Sequence, residues 1–416
     1  MPETTQTRWS NAQLDRMREQ MDPAADKVAA ELIELQDLRG VVKLLSFFAR
    51  NDMSVDIKFG GFEMTPLMKV YFSDETNFQF TAEEKAILDR ASGIFELYGP
   101  IIVSTLGVRP LLKQYAHTKA TNVLRMTTLL EEHTGRRITE TFQFVLDVMQ
   151  KGWYKPKKRG IRSIQKLRLI HALIRVRILN GMTPEKEAKW NPEWGQPINQ
   201  EDMAFATQTF SVEIIEGLKQ AGFPLSQEQA EDYMQAWKLI GRALGVDRSL
   251  EPADYDEAVA LQQQIYARNF TLPNPNGPAL AQALIKFFLD ISPFEISDTT
   301  IITIIKYFDG KDNYPILRDS LKIDIDNSKD DLIRHLHQDV KIIEENEAVE
   351  GLLDLTEKDL AAGNYSEPLR LRILEFFMNK MMRALFKHKR GSKSTSFQID
   401  DALADKWGLP GSEGIP

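Results

Sequence analysis

The sequence contains no cysteine. Disulfides, thiolate nucleophiles, cysteine-ligated clusters or haems and cysteine-type zinc sites are therefore excluded. Histidine is scarce, with six residues in a chain of 416. Any transition metal must rest on those few imidazoles and on carboxylates. Apolar runs are short as well. Ile101 to Val108 falls well below the ~18–20 residues that a membrane helix needs, so no transmembrane segment is expected. The Met1-Pro2-Glu3-Thr4-Thr5 start lacks a basic stretch followed by an apolar one, and a cytoplasmic protein is the expectation. An excess of positive charge is missing too: 52 Lys and Arg against 60 Asp and Glu leave a net charge of −8. A wholly basic nucleic-acid binder is disfavoured, and no nucleic-acid partner is expected, although a local basic patch remains open. His-Glu-x-x-His, Gly-x-Ser-x-Gly and phosphate-loop motifs are all absent.

What is present is ordinary globular composition, 43% hydrophobic and 27% charged. At ~150 residues per domain, two or three domains or one large helical domain fit the length. Helical spacing dominates. Ser10-x-x-Gln13 reads as an N-terminal capping box. Val28, Leu32, Leu35 and Leu38 then recur at helical steps toward Gly40, a C-terminal cap. Residues 55–72 read as a connection with short pieces of structure. Thr81-x-x-Glu84 caps a helix running toward Tyr98, and Gly99-Pro100 reads as a break. Further helices are expected at about 100–106, 109–131, 136–150 and 161–180, followed by a loop at 182–199. Asn199 and Asp202 start the next helix. More helices follow over 226–290 and 297–390. The class is all-α, divided into an N-terminal helical extension (1–90), a core (91–280), a C-terminal helical region (281–390) and a tail (391–416).

Most histidines invite structural readings. His117, His133, His335, His337 and His388 lie in segments where an imidazole is an ordinary core or surface residue. His171 differs. It stands four after Leu167 and three before Ile174, on the apolar side of its helix with Ile164 and Ile170. Arg168 and Arg175 flank it and need anionic partners, because an unpaired buried guanidinium is costly. The surrounding stretch, Lys151 to Arg177, holds ten basic residues and no acid. A solvated face, a nucleic-acid surface and a cofactor bearing carboxylates are all open readings. A haem would suit the third, with His171 on iron and arginines on propionates. Upstream, Arg137, Glu140 and Thr141 share one helix face, where a surface Arg137–Glu140 pair is the simplest reading.

Three motifs together resemble the latex-clearing-protein (rubber oxygenase) and MpaB-type haem oxygenases. They are Leu169-Ile170-His171-Ala172-Leu173-Ile174-Arg175, then Gly195-Gln196-Pro197-Ile198-Asn199-Gln200-Glu201-Asp202-Met203 with Phe210-Ser211, and Arg137-x-x-Glu140-Thr141. Trp237-x-x-x-Gly241-x-x-Leu244-Gly245-Val246 is a weaker fourth match. The resemblance covers about Leu97 to Leu250. It implies a globin-like helical core with one haem b and its iron, dioxygen as co-substrate, and a small apolar unsaturated substrate. It implies His171 as the metal ligand, Arg168 and Arg175 as propionate anchors, and Arg137, Glu140 and Thr141 on the distal side. The implied activity is oxidation or cleavage of a C=C bond in an isoprenoid-like molecule. A haem-binding sensor or carrier without turnover is the alternative. The chain departs from the rubber-cleaving members at Glu140, where they carry lysine. Those members are also exported, which turns the expectation toward a smaller intracellular substrate.

Overall fold

The computed structural model describes residues 8–35, 65–73, 79–127, 134–156, 158–181, 189–293, 296–323, 377–386, 397, 399–407 and 409. The described residues hold fifteen α-helices and no strand, so the all-α class is observed. The helices are α1 (Asn11–Arg18), α2 (Pro23–Leu35), α3 (Pro66–Tyr71), α4 (Ala82–Val108) and α5 (Pro110–Ala116). Next come α6 (Thr121–Thr127), α7 (Thr134–Met149), α8 (Arg159–Leu179), α9 (Gln200–Gln220) and α10 (Gln227–Ala243). The rest are α11 (Tyr255–Asn269), α12 (Gly277–Ile291), α13 (Asp298–Leu321), α14 (377–386) and α15 (Asp401–Lys406). Gly40, His133, His335, His337 and His388 lie outside the described residues.

Caps explain where many helices begin. Ser10 accepts a hydrogen bond from the Gln13 amide, and Asn199 accepts one from Asp202. Thr81 and Glu84 form both halves of a capping box, which satisfies two otherwise orphaned donors. The observed α7 and α8 start and end within two residues of the expected 136–150 and 161–180.

Two expectations need correction. Gly99-Pro100 is not a break: α4 runs through it to Val108. Proline has no amide hydrogen, so the Glu96 carbonyl loses its helical donor. Trp407 replaces that donor, its Nε1 donating to Glu96 O at 3.1 Å. Gly99 makes the approach possible, because a Cβ there would lie 1.8 Å from the indole. The second correction concerns 109–131. The chain leaves the helix at His117 and restarts at Thr121. His117 is fully buried, and its Nδ1 accepts from the Ala120 amide at 3.1 Å.

One apolar core draws residues from Phe80 to Leu409. The boundaries expected at 90/91 and 280/281 fall inside α4 and α12. The described part of the tail is docked: Trp407 packs edge-on to Phe95 at 5.4 Å. The helical run Ala82–Ala116 is long and apolar enough to cross a membrane by length and composition, which the short apolar stretches did not lead one to expect. Its most apolar window is 67% buried within the fold, as a core helix would be.

Candidate functional site

Helix α8 carries the expected centre, packed between α2 on one side and α7 on another. Leu169, Ala172 and Leu173 bury against Ala25, Val28 and Leu32 of α2. This is the fully buried face, which differs from the expected Ile164, Leu167, Ile170 and Ile174 side. Of those four only Ile164 is fully buried. Leu167, His171 and Ile174 form a half-buried stripe. Their surroundings diverge. Leu167 packs on the main core, Ile170 on the α2 cluster, and Ile174 on Val123, Met126 and Ile178. His171 therefore stands where three apolar clusters approach one another.

Burial pushes the His171 imidazole down to about 3, with the Arg175 charge adding to the effect and Asp22 opposing it. The ring is neutral at physiological pH and keeps one nitrogen lone pair. Its Nδ1 is enclosed without a hydrogen-bond partner, an arrangement that buried polar atoms rarely adopt.

The two flanking arginines find their anions within the chain. Arg168 grips Asp22 in a two-point pair, Nε and Nη2 each 2.8 Å from a carboxylate oxygen, and Nη1 donates to Ala243 O at 3.2 Å. Arg175, 2% exposed, donates from Nε to Asp26 at 2.8 Å and from Nη1 to Ile198 O at 3.2 Å. Burial works against the Arg168 charge, but Asp22 outweighs it and the guanidinium is raised. Burial raises Asp26, with Arg175 opposing. Gly245, at φ +88°, is required beside this pair. A Cβ there would meet Asp22 Oδ2 at 2.9 Å and Arg168 Nη2 at 3.0 Å. Within the chain, the anionic partners of these arginines are aspartates. Asp22 and Asp26 were missed in the sequence. Their one available signal is a four-residue spacing on one helix start.

Helix α7 brings Arg137, Glu140 and Thr141 together on one stretch, all half-buried. Arg136 pairs with Glu140 at i and i+4, 2.8 Å apart. Thr141 Oγ1 donates to Arg137 O at 2.9 Å. Burial lowers the Arg137 guanidinium, against the favourable influence of Tyr115 and Glu140. Helices α7 and α8 pack against each other, so this stretch and His171 lie on adjoining elements.

The Asn199–Asp202 motif does more than start α9. Arg18 of α1 donates to Glu201 at 2.8 Å and to Asp202 at 3.1 Å, while Arg268 of α11 donates to Glu201 at 2.9 Å. Gln200 bonds Met21 O at 2.7 Å and Gly245 O at 2.9 Å. The motif ties the N-terminal helices to the body that carries His171.

The donor set can be tested against a haem. Among the described residues, no group of three or more His, Asp or Glu side chains gathers to hold a metal ion. A cage of protein ligands is not built there. A haem needs little from the protein beyond an axial ligand, because the macrocycle supplies the other donors. A neutral His171 with an unpartnered enclosed nitrogen, on a half-buried apolar stripe, fits that requirement.

The fold has a known counterpart. The structure of latex clearing protein LCP in the closed state superimposes with a TM-score of 0.64, at 20% sequence identity. The match covers 92% of this chain and 95% of that one. The family described as "ER-bound oxygenase mpaB/B'/Rubber oxygenase, catalytic domain" matches residues 97–294. Through that segment the chain is similar to the latex-clearing-protein and MpaB family. A rubber oxygenase from Streptomyces sp. (strain K30) is 25% identical over 266 residues, 64% of this chain. The chain spans 62% of that relative's length.

Proposed function

We propose that the chain is a haem-b-dependent oxygenase that uses dioxygen to oxidise or cleave a carbon–carbon double bond in a small apolar, isoprenoid-like substrate. The observation that carries this reading is His171, a neutral imidazole with an enclosed unpartnered nitrogen inside the family segment. The name of the rubber oxygenase relative supports an unsaturated polyisoprene-type substrate. When bound, haem supplies the dioxygen and one-electron chemistry that no side chain of this chain offers. His171 would hold the iron through its nitrogen lone pair, with no need for deprotonation. Asp22 and Asp26 hold Arg168 and Arg175, and so fix the rotation of α8 and the aim of the imidazole. A propionate would be met by guanidinium groups already shared with these aspartates.

On α7, the Glu140 carboxylate would take a proton from a carbon next to a double bond. Arg136 pairs with it at 2.8 Å. Thr141 has its proton on Arg137 O, which leaves its oxygen to accept a hydrogen bond. Arg137 adds a positive charge beside them.

The test pairs a visible spectrum with product analysis. Wild type under oxygen, given an acyclic terpenoid, yields carbonyl or oxygenated products. Glu140→Gln keeps the shape and haem content and lowers turnover by roughly 10²-fold or more, the usual share of one general base. Equal turnover in Glu140→Gln would leave Glu140 as the surface partner of Arg136. That surface pair favours one further reading, a haem-binding sensor or carrier. Full haem content with no oxygen consumption on any unsaturated substrate selects it.

A further inference from the structure

Two residues other than glycine take a positive φ among the described residues, Ile198 at +51° and Lys322 at +54°. Lys322 ends α13, where a left-handed residue is an ordinary terminator. Ile198 ends no helix; it lies between Pro197 and Asn199, just ahead of α9. In the left-handed region Cβ crowds a neighbouring carbonyl oxygen, and the branch at that carbon makes isoleucine a poor occupant. Glycine would take the same backbone freely. A strained residue persists where its surroundings over-determine it, and here they do. The Gln196 amide donates to Arg18 O at 2.8 Å and the Gln200 amide to Gln20 O at 3.0 Å, which pins the chain on either side. The fully buried Asn199 donates from Nδ2 back to Gln196 O at 2.8 Å and forward to Asp202 at 3.0 Å.

Ile198 makes two contacts that bear on α8. Its carbonyl accepts from Arg175 Nη1 at 3.2 Å. Arg175 gives its other two guanidinium nitrogens to Asp26, Nε at 2.8 Å and Nη2 at 2.7 Å. Ile198 thus engages the remaining nitrogen of a side chain one helical turn beyond His171. Its own side chain packs on the Val123, Met126 and Ile178 cluster, which also receives Ile174. Ile174 shares the half-buried stripe of His171. A glycine at 198 would suit the backbone and lose the side-chain contact. An isoleucine in relaxed, extended backbone would turn its carbonyl away from Arg175. The two contacts together account for a β-branched residue in a left-handed conformation.

We propose that Ile198 is a positioning residue for His171. Its carbonyl holds Arg175, its side chain holds the cluster under Ile174, and together they fix the rotation of α8 that aims the imidazole. The proposal rests on the reading of His171 as the haem ligand.

The test uses the full-length protein and three variants, Ile198→Gly, Ile198→Ala and Ile198→Val. The first two both delete the side chain and differ in backbone freedom. At an ordinary position the alanine variant is the more stable, because glycine is freer when unfolded. At a strained left-handed position the order reverses, so Ile198→Gly should melt above Ile198→Ala. If Ile198→Ala does not fold while Ile198→Gly does, that difference gives the same order. The second readout is one that a merely structural role would not move: the ferric visible spectrum and the rate at which haem passes to excess apomyoglobin. Both truncated variants should alter the spectrum and lose haem faster, by roughly tenfold to a hundredfold. Ile198→Val keeps the branch and should match wild type in both. Ile198→Gly melting below Ile198→Ala would overturn the proposal. So would a wild-type spectrum and rate of haem loss in both truncated variants, with the reading of His171 left intact. A folded wild type without a Soret band would overturn that reading, and the proposal with it.

Discussion

At the scale of single residues, charge decides more than shape. Arg168 and Arg175 flank His171, and each is committed to an aspartate of α2 or its entry. Their pairing partners lie 146 and 149 residues away in sequence. That distance is why the sequence revealed the need for anions but not their source. Truncating one member of a buried ion pair leaves the other charge stranded. Arg175→Ala is expected to destabilise the protein by roughly 3–5 kcal/mol, seen as a lower urea midpoint with an unchanged slope. Asp26→Asn in the same background should recover part of that loss, because it removes the stranded carboxylate. No recovery, together with faster haem loss in Arg175→Ala alone, would make the propionate the main partner of Arg175.

At the scale of elements, the sequence was most readable where a local rule sufficed. The caps at Ser10, Thr81 and Asn199, and the spans of α7 and α8, follow from short-range spacing. It was misleading where a distant residue overrides the rule. Gly99-Pro100 has every mark of a stop, yet Trp407, 311 residues from Glu96, supplies the missing donor. Trp407→Phe keeps the ring but removes the N–H. The stranded Glu96 carbonyl should then destabilise the fold by about 1–3 kcal/mol, measurable as a lower Tm. An unchanged Tm would mean that water replaces the indole.

Helix α13 offers a second element-scale expectation. Its backbone kinks at Gly310, where φ is +68°. The preceding Asp309 is 2% exposed. Burial pushes its carboxyl up to about 7, against the charges of Arg109 and Lys113 and with the help of Glu213. In the unfolded chain an aspartate titrates near pH ~4. Below that value both states hold the proton. From there to about pH 7 the folded state alone holds it, so its stabilising contribution falls as pH rises, then levels off. Asp309→Asn is neutral throughout and lacks this part of the slope. Relative to wild type it should gain stability between pH 5 and pH 8, read from urea midpoints. A constant difference across that range would mean that Asp309 is ionised in the fold at both ends.

For the whole molecule, the N-terminal helices and the docked C-terminal tryptophan both serve the body that contains the family segment. Arg18, Asp22 and Asp26 join α1 and α2 to α8, α9 and the turn at Gly245. These long-range links make the candidate site a property of the full chain, although its residues 137–175 were legible as a cluster in sequence. The spacing around His171 placed it on one side of α8 with Leu167 and Ile174, and that side is half-buried rather than core. The most direct measurement is the visible absorption spectrum of purified full-length protein beside His171→Ala. Wild type should carry a Soret band in proportion to protein, and the variant should lose it while keeping its helical circular dichroism. Haem loading and a spectrum unchanged by His171→Ala, or no haem uptake by folded wild type, would contradict the account.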